Sequence, residues 1–323
     1  MNNFDIYIII TAADFVRLKR LYPRLLTAFP SGDLVFVGSE DVGRCVRDAA
    51  LGEKVRFLPE DELLPFNDVW AVMNDHLREL LGGEDAPRRS VGWYYQQFLK
   101  YRLADFSGNE YYMVWDGDTI PCRVVNMFSE DGHPYLDCKN EYHEEYFVTM
   151  KKLVPGLQKF IRSSFISEHM LFHCDSVRKL TARIEANPEL KGTSFWERIL
   201  LAIEPERIHK SAFSEFETYG CFMALTSPSH YRLREWHSFR IGGTVFDPNT
   251  ICDRDFDWLG KDFDAISFEK NHSIQEGNGG LFDNPEYQSK LSARQMLQIA
   301  QEVSTGGYIE SWGPNGKLHD PLD

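Results

Sequence analysis

The first 115 residues alternate short apolar runs with segments of helical period, and this constrains the fold more than any other feature of the chain. Residues 4–11 read as a buried strand, 13–28 as a helix with Phe15, Leu18, Leu21 and Leu25 on one face, and 33–37 as a second strand. A helix over 40–50, a strand over 54–58 and a helix over 68–81 follow. The loop G-G-E-D-A-P-R-R-S (82–90) then leads through a helix over 91–103 into a strand over 110–115. Such alternation demands an α/β fold whose mostly parallel sheet carries helices on both faces, with ligands beyond the carboxyl ends of the strands. Farther on the pattern loosens: a strand near 134–138, helices over 142–154, 169–185 and 195–202, then S-E-F-E-T-Y-G at 214–220. We expect a main domain over 1–230, divided into halves at about residue 120, and a segment over 231–323 that wraps it.

Composition narrows the function. A hydrophobic fraction of 43% over 323 residues supports a sizeable core. A formal charge of -14, with no Lys/Arg block, lacks the basic footprint that a nucleic-acid backbone requires. Six scattered cysteines form no C-x-x-C pair and fit reduced thiols. No apolar stretch approaches the roughly 20 residues that span a bilayer, so the expected location is the cytoplasm, with peripheral contact at the inner face of the membrane.

The strand over 110–115 ends in W-D-G-D-T, which places Asp116 and Asp118 at the edge where ligands bind. Two carboxylates one residue apart on a turn can converge on one hard cation, and Mg²⁺ or Mn²⁺ typically takes one or two carboxylates together with phosphate oxygens. The same letters fit a phosphatase of the haloacid-dehalogenase type, with Asp116 as nucleophile and Asp118 as acid/base. That chemistry needs a second acidic pair after another buried strand, whereas D-R-D-F-D (253–257) follows P-N-T-I-C, and the motif comes late in the chain rather than opening the fold. A nucleotidyltransferase would need a Gly-rich phosphate loop near the first strand, and T-A-A-D-F (11–15) has no glycine.

Two further stretches carry chemistry. In V-G-W-Y-Y-Q-Q-F-L-K-Y-R-L (91–103), Trp93, Gln97 and Lys100 share one helix face and Tyr94, Phe98 and Tyr101 share another. One face suits a core; the other offers an aromatic plate, an amide and an ammonium to a nucleotide. In S-E-F-E-T-Y-G, Ser214 and Glu217 have the spacing of a capping box, which leaves Glu215 in the first turn as a general base for an acceptor hydroxyl.

Taken together, G-W-Y-Y-Q-Q-F-L-K (92–100), D-G-D-T (116–119), E-Y-H-E-E-Y-F-V-T-M-K-K-L-V-P-G-L (141–157), F-I-S-E-H-M-L-F (165–172) and S-E-F-E-T-Y-G resemble the bacterial family DUF6492, whose members look like GT-A glycosyltransferases of surface-polysaccharide loci. The likeness runs over about residues 5–230. It implies a GT-A-like mixed sheet flanked by helices, a nucleotide-sugar donor with UDP as the expected nucleotide, a glycan or lipid-linked glycan acceptor, and Mn²⁺ or Mg²⁺ on Asp116 and Asp118. Thr11 and Ala12 match the nucleoside site, which Trp93, Gln97, Lys100, Trp115 and Asp116 would complete. His143, Tyr146 and Glu168 would lie toward the acceptor, and His169 joins Glu215 and Glu217 as a catalytic candidate. Where the family's closing strand carries a histidine, I-S-F-E-K-N-H-S has Glu269 at that point and His272 three residues later, leaving these two as alternatives for completing the metal site. A catalytically inert nucleotide-sugar-binding protein is the rival reading from another functional class.

Overall fold

Strand β1 (Phe4–Ile9) shows why the sheet is buried on both sides. Its residues alternate between two separate cores: Phe4, Ile6 and Ile8 join one, while Tyr7 joins the other. Strands β2 (Leu34–Gly38), β3 (Val55–Pro59) and β4 (Tyr111–Trp115) extend the sheet in parallel. Next come β5 (Thr119–Pro121), β6 (Tyr135–Cys138) and β7 (His169–His173). The main sheet has the order β3-β2-β1-β4-β7, with β7 antiparallel to β4. The computed structural model describes residues 3–274, 278 and 280–303.

On one face pack the helices Phe66–Leu77, Arg88–Phe106, Glu144–Leu153, Cys174–Glu185, Phe195–Ala202 and Glu215–Thr226. The other face is covered by the helices Ala12–Leu18 and Pro23–Ala28 and by residues from the last third of the chain, among them Trp236, Phe256 and Leu297. Strands β8 (Arg232–Glu235), β9 (Ser238–Phe239) and β10 (Ala265–Ser267) belong to that last third. They build two small sheets, β5-β10-β9 and β6-β8. Among the described residues no helix is long and apolar enough to cross a membrane.

Two expectations from the sequence need correction. The helix over 13–28 is two helices, because Pro23 has no N–H to continue the first and instead opens the second. The helix over 169–185 begins only at Cys174; His169–His173 is β7, a five-residue run buried between β4 and both cores.

Candidate functional site

A cleft of about 810 Å³ opens at the carboxyl ends of β1 and β4, lined by Ile9, Ile10 and Thr11 from the first and by Asp116, Gly117 and Asp118 from the second. The D-G-D turn is fixed at every residue. Asp116 N–H donates to Glu168 O (2.8 Å), Tyr22 Oη donates to Gly117 O (3.0 Å), and Phe268 N–H donates to Asp118 O (2.7 Å). Thr119 N–H closes the turn on Asp116 O (3.0 Å). A Cβ on Gly117 would lie 2.9 Å from Ile10 Cδ1 and 3.0 Å from Ile8 Cγ2, so any side chain there would have to push these isoleucines aside.

Lys100, on the cleft side of the Arg88–Phe106 helix, is buried with its ammonium between Glu215 Oε1 (2.5 Å) and Asp116 Oδ1 (3.1 Å) and over the Phe216 ring (4.1 Å). Burial by itself would lower its pKa, but the two carboxylates outweigh that and hold it above the ordinary lysine value. Glu215 is raised by burial, with Lys100 opposing. Far from projecting freely, it is the anionic half of an interior pair, and its helix is tied to the Arg88–Phe106 helix by Glu215 N–H to Gln97 Oε1 (3.2 Å) and Tyr101 Oη to Glu215 O (2.7 Å). Asp118 is different. Burial first, then the charges of Asp116 and Glu269, push its carboxyl up to about 6. Burial and the neighbouring carboxylates thus both disfavour the charge on Asp118, and a divalent cation would offset both.

The structure brings together in the cleft Thr11, Trp93, Gln97, Lys100, Asp116, Asp118, Tyr146 and Glu215. Thr11 caps its helix, its hydroxyl donating to Asp14 Oδ2 (2.7 Å) and accepting from Asp14 N–H (3.3 Å). Ala12 begins that helix and packs against the core. Trp115 is fully buried, its indole N–H donating to Thr119 O (2.7 Å). His143 lies beside Tyr146, ring centroids 4.5 Å apart, with Nε2 2.8 Å from Lys210 O.

Glu168, His169 and Glu217 are interior groups. Glu168, at φ 59°, has its carboxylate held by Lys139 Nζ (2.7 Å), Ser238 Oγ (2.9 Å) and Trp236 Nε1 (3.0 Å). His169 bridges Asp137 Oδ2 (2.8 Å) and Ser167 O (2.8 Å) and stacks on Trp115. Glu217 forms only half of the expected capping box: Ser214 Oγ accepts its N–H (3.2 Å), while its carboxylate turns away to Ser164 Oγ and Phe165 N–H (both 2.8 Å) and Lys159 Nζ (3.1 Å). His272 lies 3.9 Å from Glu269, which also faces Arg240 at 3.8 Å.

Among the described residues no three His, Cys, Asp or Glu side chains converge as a ready-made metal cage. The available donor set is Asp116 and Asp118, which fits Mg²⁺ or Mn²⁺ completed by phosphate oxygens and water. Sequence reasoning missed Asp14, Arg17, Arg88, Arg89, Glu60 and Lys270, all on the cleft wall. The R-R pair at the start of the 88–106 helix was a legible cationic signal, since it precedes the Trp93–Lys100 face on the same helix.

Among solved structures the chain is similar to the apo form of mouse xyloside xylosyltransferase 1 (10% identity, TM-score 0.41, covering 84% of this chain and 100% of that one). It is also similar to the galactosyltransferase LgtC in complex with donor and acceptor sugar analogues (10% identity, TM-score 0.40, 94% and 98%). No curated protein matches it. The model of DUF6492, a family of unknown function, matches residues 33–303, well past the stretch where the quoted motifs end, and the chain belongs to that family.

Proposed function

We propose that this chain is a glycosyltransferase that moves a sugar from a nucleoside-diphosphate sugar to a hydroxyl of a glycan or lipid-linked glycan, working in the cytoplasm or at the inner face of the membrane. The observation that carries the reading is one cleft holding a surplus of carboxylate at Asp116 and Asp118, a buried Lys100–Glu215 pair and the indole of Trp93. Asp116 and Asp118 would hold Mg²⁺ or Mn²⁺, which supplies neutralisation of the diphosphate charge as the glycosidic bond breaks. Trp93 offers a flat apolar surface to the donor or the sugar. Lys100 opposes the burial that raises the Glu215 carboxyl, so that the pair can carry the base. Glu215 accepts the proton of the acceptor hydroxyl as that oxygen bonds to the anomeric carbon and the nucleoside diphosphate departs. Tyr146, whose phenol is raised by burial and by the Glu215 charge, lines the same cleft and would meet the acceptor.

The test is nucleoside-diphosphate release from a panel of nucleotide sugars with Mn²⁺, with and without sugar acceptors. Asp118→Ala should abolish release and transfer while the protein stays folded. Glu215→Gln should lose transfer yet retain donor binding. Undiminished turnover in Asp118→Ala, or in excess chelator, refutes the assignment.

A further inference from the structure

The edge of the cleft beyond β1 presents a second, unassigned group of side chains. Glu60 directly follows β3 and Asp116 directly follows β4, in a sheet whose parallel strands run β3-β2-β1-β4. Their strand ends therefore share one edge and lie three strand spacings apart, about 14 Å. An extended nucleoside diphosphate with its phosphates at Asp116 and Asp118 reaches that far. Glu60 is half-buried on the cleft wall, and among the described residues its carboxylate shows neither a hydrogen bond nor an ion pair. Its neighbour Asp61, in contrast, is committed to Phe66 N–H at 3.0 Å. Beside Glu60 the Arg88 guanidinium lies 4.3 Å over the Phe66 ring, which itself meets Tyr95 edge-on at 5.1 Å. Glu60, Phe66, Arg88 and Tyr95 all line the cleft. A guanidinium backed by an aromatic ring is a plane on which a base stacks.

Resting on the nucleotide-sugar reading above, we infer that Glu60 and Arg88 form the subsite that reads the donor's base, with the Glu60 carboxylate accepting the ring N–H of uracil (N3) or guanine (N1). At the same ring edge adenine and cytosine present a lone pair, which a carboxylate repels, so the donor class is a uridine or guanosine diphosphate sugar. Burial, then Asp61, pushes the Glu60 carboxyl up to about 7, with Arg88 opposing. An N–H ligand selects the ionised form, so affinity is present above that pH and falls below it.

Calorimetric titration of UDP, GDP, ADP and CDP in Mn²⁺ tests this on the wild type, Glu60→Gln, Glu60→Ala and Asp118→Ala. UDP or GDP should bind the wild type at least tenfold more tightly than ADP and CDP. Both Glu60 variants should shrink that preference below threefold, whereas Asp118→Ala should weaken all four nucleotides together. Between pH 6 and 8 the wild type should tighten for its preferred nucleotide about tenfold more than Glu60→Gln does, because the ionised fraction of a group titrating near 7 rises about tenfold across that range. Four nucleotides bound alike by the wild type, or a preference unchanged in both Glu60 variants, overturns the inference and leaves the transferase reading standing. Failure of all four to bind overturns both.

Discussion

Lys100→Met removes the one cation that, among the described residues, touches both Asp116 and Glu215, while keeping most of the buried aliphatic volume. In the wild type the ammonium sits 2.5 Å from Glu215 Oε1 and 3.1 Å from Asp116 Oδ1. Asp116 keeps 37% of its side chain in solvent and is rehydrated at small cost. Glu215, at 5%, is not, so nearly all of the penalty falls on it. Truncating one partner of a buried pair costs about 3–5 kcal/mol when the survivor stays charged. Here Glu215 can escape by taking up a proton, since burial already raises its pKa and loss of Lys100 raises it further. We therefore expect about 3 kcal/mol at pH 7, a fall in Tm of roughly 4–5 °C for a chain of this size.

The pH dependence identifies the cause. A carboxyl whose folded pKa lies above its unfolded value carries its full cost to the fold above the folded value, and that cost shrinks as pH falls and disappears below the unfolded one. The deficit of Lys100→Met relative to wild type should thus narrow between pH 7 and pH 5 in urea denaturation followed by circular dichroism. Adding Glu215→Gln should recover at least half of it, the double-mutant signature of a shared interaction. A Lys100→Met protein as stable as the wild type at pH 7, or a deficit insensitive to both pH and Glu215→Gln, would refute the account of Lys100 as the interior counter-charge.

Asp118→Asn should stabilise the metal-free protein by about 1–2 kcal/mol at pH 7 and make it less sensitive to pH between 5 and 7, because the wild-type carboxyl, raised to about 6 by burial, Asp116 and Glu269, is ionised there against its surroundings. The same substitution should remove the thermal shift caused by Mn²⁺, which in the wild type should fade as pH drops through 6. Glu168→Gln should cost about 2–4 kcal/mol by leaving Lys139 without its buried partner. Burial works against the Glu168 charge but Lys139 and Arg240 prevail and depress its pKa, so the cost should be full above pH 4.5 and vanish as pH falls through the depressed folded value, as seen in chemical denaturation at several pH values. Gly220→Ala should destabilise by about 1–3 kcal/mol or more, since its Cβ would meet the Phe165 ring at 2.2 Å on the helix that carries Glu215; an unchanged denaturation midpoint would show that the ring yields freely.

How far the sequence could be read depended on whether the deciding interaction was local. The alternation of β1 to β4 is local, and so are the two faces of the Arg88–Phe106 helix, where Trp93, Gln97 and Lys100 do line the cleft while Tyr94, Phe98 and Tyr101 enter the core. His169–His173 was misread because five apolar-flanked residues carry too little period to separate strand from helix, and only pairing with β4 decides. Glu217 looked like half of a cap because the sequence shows Ser214 three residues away and conceals Ser164 and Phe165. The partnership of Lys100 with Glu215 joins residues 115 positions apart and leaves no local trace. Glu60 escaped notice for the same reason, since nothing near it in the chain reveals that its carboxylate faces an opening.

The hydrogen bond from Phe268 to Asp118 and the pairing of β10 with β5 have a temporal consequence for a chain made from its amino end. The parallel strands and both of the paired acids emerge early, but the turn that bears them stays untethered on one side until some 150 further residues have left the ribosome. Closing a loop of that length is slow, so the nascent protein should acquire its sheet first and a fully tethered cleft edge last. A half-synthesised copy would accordingly have its scaffold while the D-G-D turn is still held from one side alone.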